Sequence, residues 1–149
     1  MNTFYVRTAL RDATLCLLLS LIVSLTGCNR TITDGSIVNI QPQRVAEWVR
    51  EDASGRLYMD VRDPEEFQSG HIPGARNIRL PEVSATERDP ALNTFNTIVV
   101  YGDGAYSARA IAMTKRLLGL GYKDVFLLDG GFGGWRAQGG AVERGTSSR

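Results

Sequence analysis

A chain of 149 residues that is 43% hydrophobic and 22% charged has the composition of one globular domain and needs no second. Its 17 basic and 16 acidic side chains are interspersed and leave a formal net charge of +1, which builds no field for phosphate backbones and argues against nucleic-acid binding. Only two cysteines are present, Cys16 and Cys28, so any thiol chemistry depends on what becomes of them.

The first segment stands apart from the rest. Arg7 and Arg11 precede an apolar run over residues 13–25 that is broken only by Thr14, Ser20 and Ser24. A run of roughly 13 residues suits the core of an export signal and falls short of the ~20 needed for a permanent transmembrane helix. It ends in Leu25-Thr26-Gly27-Cys28, which resembles the lipobox of bacterial lipoproteins: an aliphatic residue, two small ones that let a peptidase approach, then the acylated cysteine.

That resemblance implies that residues 1–27 are removed and that Cys28 carries lipid on its sulfur and on its new amino terminus, anchoring the protein in a bacterial cell membrane. Several chains hold firmly, since each buried CH₂ contributes ~0.8 kcal/mol. Asn29, rather than Asp, follows the cysteine, which by the same resemblance favours the outer membrane facing the periplasm where two membranes exist. With Cys16 lost and Cys28 lipidated, the mature chain is expected to hold no thiol.

Residues 28–35 then form the lipidated cysteine and a polar tether, at most about 25–30 Å long at ~3.3–3.6 Å per residue. Residues 36–142 are expected to fold as the domain, and residues 143–149 to form a flexible tail.

Within the domain, short apolar runs alternate with helical patterns, the layout of an α/β fold with a largely parallel sheet. The expected strands are residues 37–40, 57–61, 75–78, 98–101 and 125–128. A helix starting at Pro42 puts Val45, Trp48 and Val49 on one face, with Trp48 in the core. Asp63-Pro64-Glu65-Glu66 is a compact helix start: Asp63 caps, Pro64 fits the first helical position and Glu66 reaches back. The longest helix begins near Ser107, presents Ala110, Met113, Leu117 and Leu120, and stops at Gly121 with Lys115 and Arg116 towards solvent. A glycine-rich turn from Asp129 then enters a short helix with Phe132 and Trp135 as anchors.

Three segments in order resemble the rhodanese-like domain family: Tyr58-Met59-Asp60-Val61-Arg62-Asp63-Pro64-Glu65-Glu66-Phe67, then Gly70-His71-Ile72-Pro73-Gly74-Ala75, then Leu127-Leu128-Asp129-Gly130-Gly131 through Trp135. The resemblance covers about residues 36–140 and implies a single α/β domain with a five-stranded parallel sheet flanked by helices. It also implies that a catalytic cysteine should follow the fourth strand, where this chain has Gly102. A thiolate accepts sulfane sulfur, holds it as a persulfide and passes it on; glycine has no atom to do so. Ser107 and Tyr106 are the nearest hydroxyls, weak nucleophiles without an adjacent base.

His71, the only histidine, is expected to be structural in its turn, and with no second His or free Cys no metal site or cofactor is expected. The loop Gly102, Asp103, Gly104, Ala105, Tyr106 and Ser107 remains a candidate anion site, because its glycines let N–H groups converge in a strand-to-helix crevice, with Arg109 as electrostatic support. Asp103 introduces a carboxylate that competes for those donors.

The sequence therefore leads to the expectation of a lipid-anchored domain that is not an enzyme and that binds a protein partner or a small anion. The alternative is a sulfurtransferase-type enzyme, acting on thiosulfate or a persulfide, that relies on a thiol supplied by a partner.

Overall fold

A computed structural model describes residues 31–52 and 54–145; the expected export segment, Cys28 and the last four residues of the expected tail lie outside the described residues. The elements in chain order are β1 (Val38–Ile40), α1 (Pro42–Glu51), β2 (Arg56–Asp60), α2 (Pro64–Ser69), β3 (Arg76–Asn77), β4 (Thr97–Tyr101), α3 (Ala108–Gly119), β5 (Asp124–Leu128) and α4 (Gly131–Ala137). Short 3₁₀ turns occur at Asp34–Ser36, Leu80–Glu82 and Leu92–Thr94. Among the described residues no helix is long and apolar enough to cross a membrane.

The five strands form one sheet in the order β1-β5-β4-β2-β3, and every pairing is parallel. The central strand β4 pairs with β2 from Thr97↔Arg56 to Tyr101↔Asp60, and with β5 from Thr97↔Asp124 to Val100↔Leu127. Each strand lies within a residue or two of its expected position. The shortest, β3, keeps only Arg76 and Asn77 of its expected four residues, because Ala75 N–H instead bonds Ile72 in a turn.

Strand alternation sorts the core into two layers. On one face Leu57, Met59, Ile98, Val100, Val125 and Leu127 pack under Ala110, Met113 and Leu117 of α3. On the other, Tyr58, Val99, Tyr101 and Leu128 meet Val45 of α1, Phe67 of α2, and Phe132 and Trp135 of α4. Helices on both faces explain why the strands read as nearly continuous apolar runs.

The helix starts follow local chemistry. Pro42 and Pro64 take first-turn positions where a missing N–H costs nothing. The Glu66 carboxylate accepts the Asp63 N–H at 3.2 Å in a capping box.

Two side chains differ from expectation. Trp48 is only half-buried: its ring meets Phe126 edge-on, while Arg44 and Arg56 lie 5.2 and 4.9 Å from its centroid, so arginine stems provide the cover that the core does not. Arg116 does not simply face solvent, because its Nη1 donates to the Leu80 and Val83 carbonyls at 3.0 and 2.8 Å, tying α3 to the long β3–β4 connection.

The C-terminal segment returns to the body of the domain. His71 and Glu143 exchange backbone hydrogen bonds, each 2.9 Å, in an isolated antiparallel bridge.

Candidate functional site

The C-terminal ends of β2, β4 and β5 meet at one edge of the sheet, the usual place for a site in an open α/β fold. Beneath that edge lies a buried polar group. Asp60 is fully buried at the end of β2 and accepts from Arg62 Nε at 3.0 Å and Nη2 at 2.6 Å. Beside it, Tyr101 is fully buried at the end of β4 and its hydroxyl accepts the Ile72 N–H at 3.2 Å. Burial, with the Asp60 charge adding to it, pushes the Tyr101 phenol well above its ordinary value and keeps it neutral.

β4 continues into buried Gly102, and residues 102–107 then turn into α3. The start of α4 clasps this loop: Phe132 N–H donates to the Gly102 carbonyl and Gly133 N–H to the Asp103 carbonyl, both at 2.8 Å. So close an approach needs glycine at position 131, where φ is +57° and a Cβ would lie 2.7 Å from Gly102 O and 2.8 Å from Gly104 N. Within the loop, Ser107 N–H bonds the Gly104 carbonyl at 3.2 Å. Among the described residues, none of the N–H groups of Asp103, Gly104, Ala105 and Tyr106 has a protein acceptor.

Asp103 does not consume those donors. Its carboxylate lies 3.9 Å from Arg109 Nη2, while Arg109 Nη1 pairs with Asp63 at 3.0 Å. Hydrogen bonding to Asp63 is the main reason the Arg109 guanidinium holds its proton more strongly than usual. Arg109 thus forms a half-exposed bridge between the α2 start and Asp103 at the loop rim. Tyr106 projects at the loop tip with 92% of its surface exposed.

The position of Ser107 was not foreseeable from sequence. A Cβ added to Gly102 would overlap Ser107 Oγ and lie 2.6 Å from Ser107 Cβ. The hydroxyl therefore fills the place that a side chain at 102 would take. It makes no capping bond to α3.

His71 is held as a structural residue. It is 1% exposed, stacks on Phe67 at 3.8 Å between ring centroids, and its Nδ1 lies 2.9 Å from the Phe67 carbonyl. Among the described residues no group of three His, Cys, Asp or Glu side chains is placed to hold a metal ion.

A family model described as the rhodanese-like domain matches residues 42–138, and the chain belongs to that family. Thiosulfate sulfurtransferase GlpE of Pseudomonas putida is 36% identical over 99 residues, which cover 66% of this chain and 84% of that protein. The protein of the same name from Pseudomonas aeruginosa is 35% identical over 99 residues, covering 66% and 83%. Among solved structures, a protein of unknown function from Rhodopseudomonas palustris, described as a possible tyrosine phosphatase, matches with a TM-score of 0.66 at 26% identity over 78% of this chain and 100% of that one.

These relatives correct one expectation. The reading of the chain as a non-enzyme rested on the glycine at 102, yet the two Pseudomonas relatives, each matched over 66% of this chain, are named thiosulfate sulfurtransferases. The similarity favours the alternative reading, a sulfurtransferase-type enzyme, over the non-enzyme one.

Proposed function

We propose that the domain acts in sulfur transfer, taking sulfane sulfur from thiosulfate or a persulfide onto a thiol supplied by a partner. The observation that carries this reading is the 36% identity to a thiosulfate sulfurtransferase across 84% of that protein's length. The external thiol follows from Gly102, which offers no acceptor at the end of β4.

In the first step the partner thiolate attacks the outer sulfur of thiosulfate; the S–S bond breaks and sulfite leaves with the electron pair. The resulting persulfide gives its terminal sulfur to a second nucleophile, and the thiolate is regenerated. The open N–H groups of the loop suit the anionic sulfur species in both steps.

The test uses the full chain in detergent with thiosulfate and cyanide, with and without glutathione or dihydrolipoate. Thiocyanate is expected to form in a protein-dependent way when the thiol is present. If no thiol raises the rate above a heat-denatured control, the reading fails.

We further propose that Cys28 carries a lipid anchor, which sets the domain at a bacterial envelope membrane and in reach of partners there. The support is the apolar run ending in Leu25-Thr26-Gly27-Cys28. Cys28→Ser should leave the precursor uncleaved and move the protein out of the lipid-modified pool; unchanged acylation and fractionation would reject the anchor.

A further inference from the structure

We infer that Ser107 is the residue that meets the transferred sulfur: its hydroxyl donates a hydrogen bond to the terminal sulfur of the external persulfide, at the place where a residue-102 side chain would otherwise reach. The inference rests on the sulfur-transfer reading above and names the group on this chain that serves it.

Three observations converge on Ser107. A Cβ on Gly102 would overlap Ser107 Oγ, so the hydroxyl occupies the position from which a side chain at 102 would act. The Ser107 backbone is fixed on both sides, its N–H to the Gly104 carbonyl at 3.2 Å and its carbonyl to the Ile111 N–H at 3.0 Å. Its Oγ makes no capping bond, so the hydroxyl is oriented by a rigid backbone yet uncommitted among the described residues. Ser107 is also partly exposed, which leaves it within reach of a group entering from solvent.

The chemistry then divides between chain and partner. With no base placed beside it, a serine hydroxyl keeps its proton and acts as a donor, not a nucleophile. The partner thiolate forms the new S–S bond, sulfite departs, and the negative charge comes to rest on the terminal sulfur of the persulfide. A hydrogen bond from a neutral donor to that charge is stronger than one between neutral groups. No bond to sulfur forms on the chain itself; the outer sulfur of thiosulfate is carried on the partner thiol until the second nucleophile takes it and the thiolate is regenerated.

Two variants of the full chain test this. Ser107→Cys places a thiol where the hydroxyl stands, so after incubation with thiosulfate alone the peptide carrying residue 107 should gain one sulfur atom by mass, and cyanide should remove it. Ser107→Ala should keep the thermal midpoint and lower thiol-dependent kcat by roughly tenfold, the loss expected for a hydrogen bond to a charged group. A Ser107→Cys protein that stays free of added sulfur, or a Ser107→Ala protein with unchanged kcat, overturns the inference while wild-type turnover leaves the sulfur-transfer reading in place. Absence of wild-type turnover with every thiol overturns that reading instead.

Discussion

Arg62 and Asp60, two residues apart and both buried, are joined by two side-chain nitrogens, and Arg62 Nη2 also donates to the Gly70 carbonyl at 2.8 Å. The guanidinium lies 4.1 Å from the Phe132 ring centroid, so one side chain links the end of β2, the end of α2 and the start of α4. Burial opposes the charge on Arg62, but the hydrogen bonds and charge of Asp60 outweigh it and hold the guanidinium protonated above its ordinary range. Removing one partner strands the other charge without water. Arg62→Met or Asp60→Asn should each cost about 3–5 kcal/mol in urea denaturation, and the double variant less than the sum of the two.

His71→Phe tests the structural assignment of the histidine. The stack on Phe67 is retained, and the Phe67 carbonyl keeps the Gly70 N–H at 3.1 Å but loses the imidazole. The expected cost is about 0.5–1.5 kcal/mol, the net contribution of one hydrogen bond, with thiocyanate formation per folded molecule unchanged. A selective loss of turnover at wild-type stability would show the imidazole to be chemical.

Gly131→Ala should be disproportionately harmful for one methyl group. The left-handed backbone costs about 1–2 kcal/mol for an L residue, and the new Cβ meets backbone atoms of Gly102 and Gly104 that have no side-chain freedom to yield. Denaturation should show a loss of about 2 kcal/mol or more, and amide shifts in NMR should concentrate in residues 102–107.

Alkaline pH should weaken the fold through Tyr101. Its ordinary value is 10.0 and burial raises it in the native state, so the unfolded chain releases the proton first. The contribution of the neutral phenol is fully present below pH 10 and is lost as pH rises through the native value, because ionisation then favours the unfolded state. Tyr101→Phe should flatten this alkaline decline in urea midpoints measured from pH 8 to 11, at the expense of a lower midpoint at pH 8 where the Ile72 N–H loses its acceptor. An unaltered slope would exclude Tyr101 as its source.

Much of the scaffold was legible because its signals are local. Pro42, and Asp63 with Pro64 and Glu66, mark helix starts through backbone chemistry within one turn, and the apolar runs of β2, β4 and β5 mark strands buried on both faces. The Asp60–Arg62 pair also left a trace, two charges at i, i+2 spacing beside an apolar strand and so on one side of it, although nothing in the spacing says that they are buried. The remainder depends on distant chain segments. Arg116 finds its acceptors 33 and 36 residues away, Arg109 is drawn to Asp63 across the fold, and the overlap of Ser107 with the place of a residue-102 side chain depends on the path of the loop between them. Charge and residue type gave no measure of any of these distances. Gly102 was legible as a departure from the family pattern, but the non-enzyme reading built on it is overturned by the relatives named as sulfurtransferases.

The bridge between His71 and Glu143 bears on the order in which the polypeptide is made. All five strands precede residue 129, but the N–H and carbonyl of His71 have no strand of the sheet to bond and wait for Glu143. A nascent chain halted after Leu128 would hold every strand of the sheet and still leave that buried turn with two unsatisfied groups, each costing about 1–3 kcal/mol. The turn at His71 is therefore closed only once Glu143 has been made, and a premature stop just beyond α4 should yield a loosely closed, protease-sensitive product instead of a slightly shorter version of the same domain.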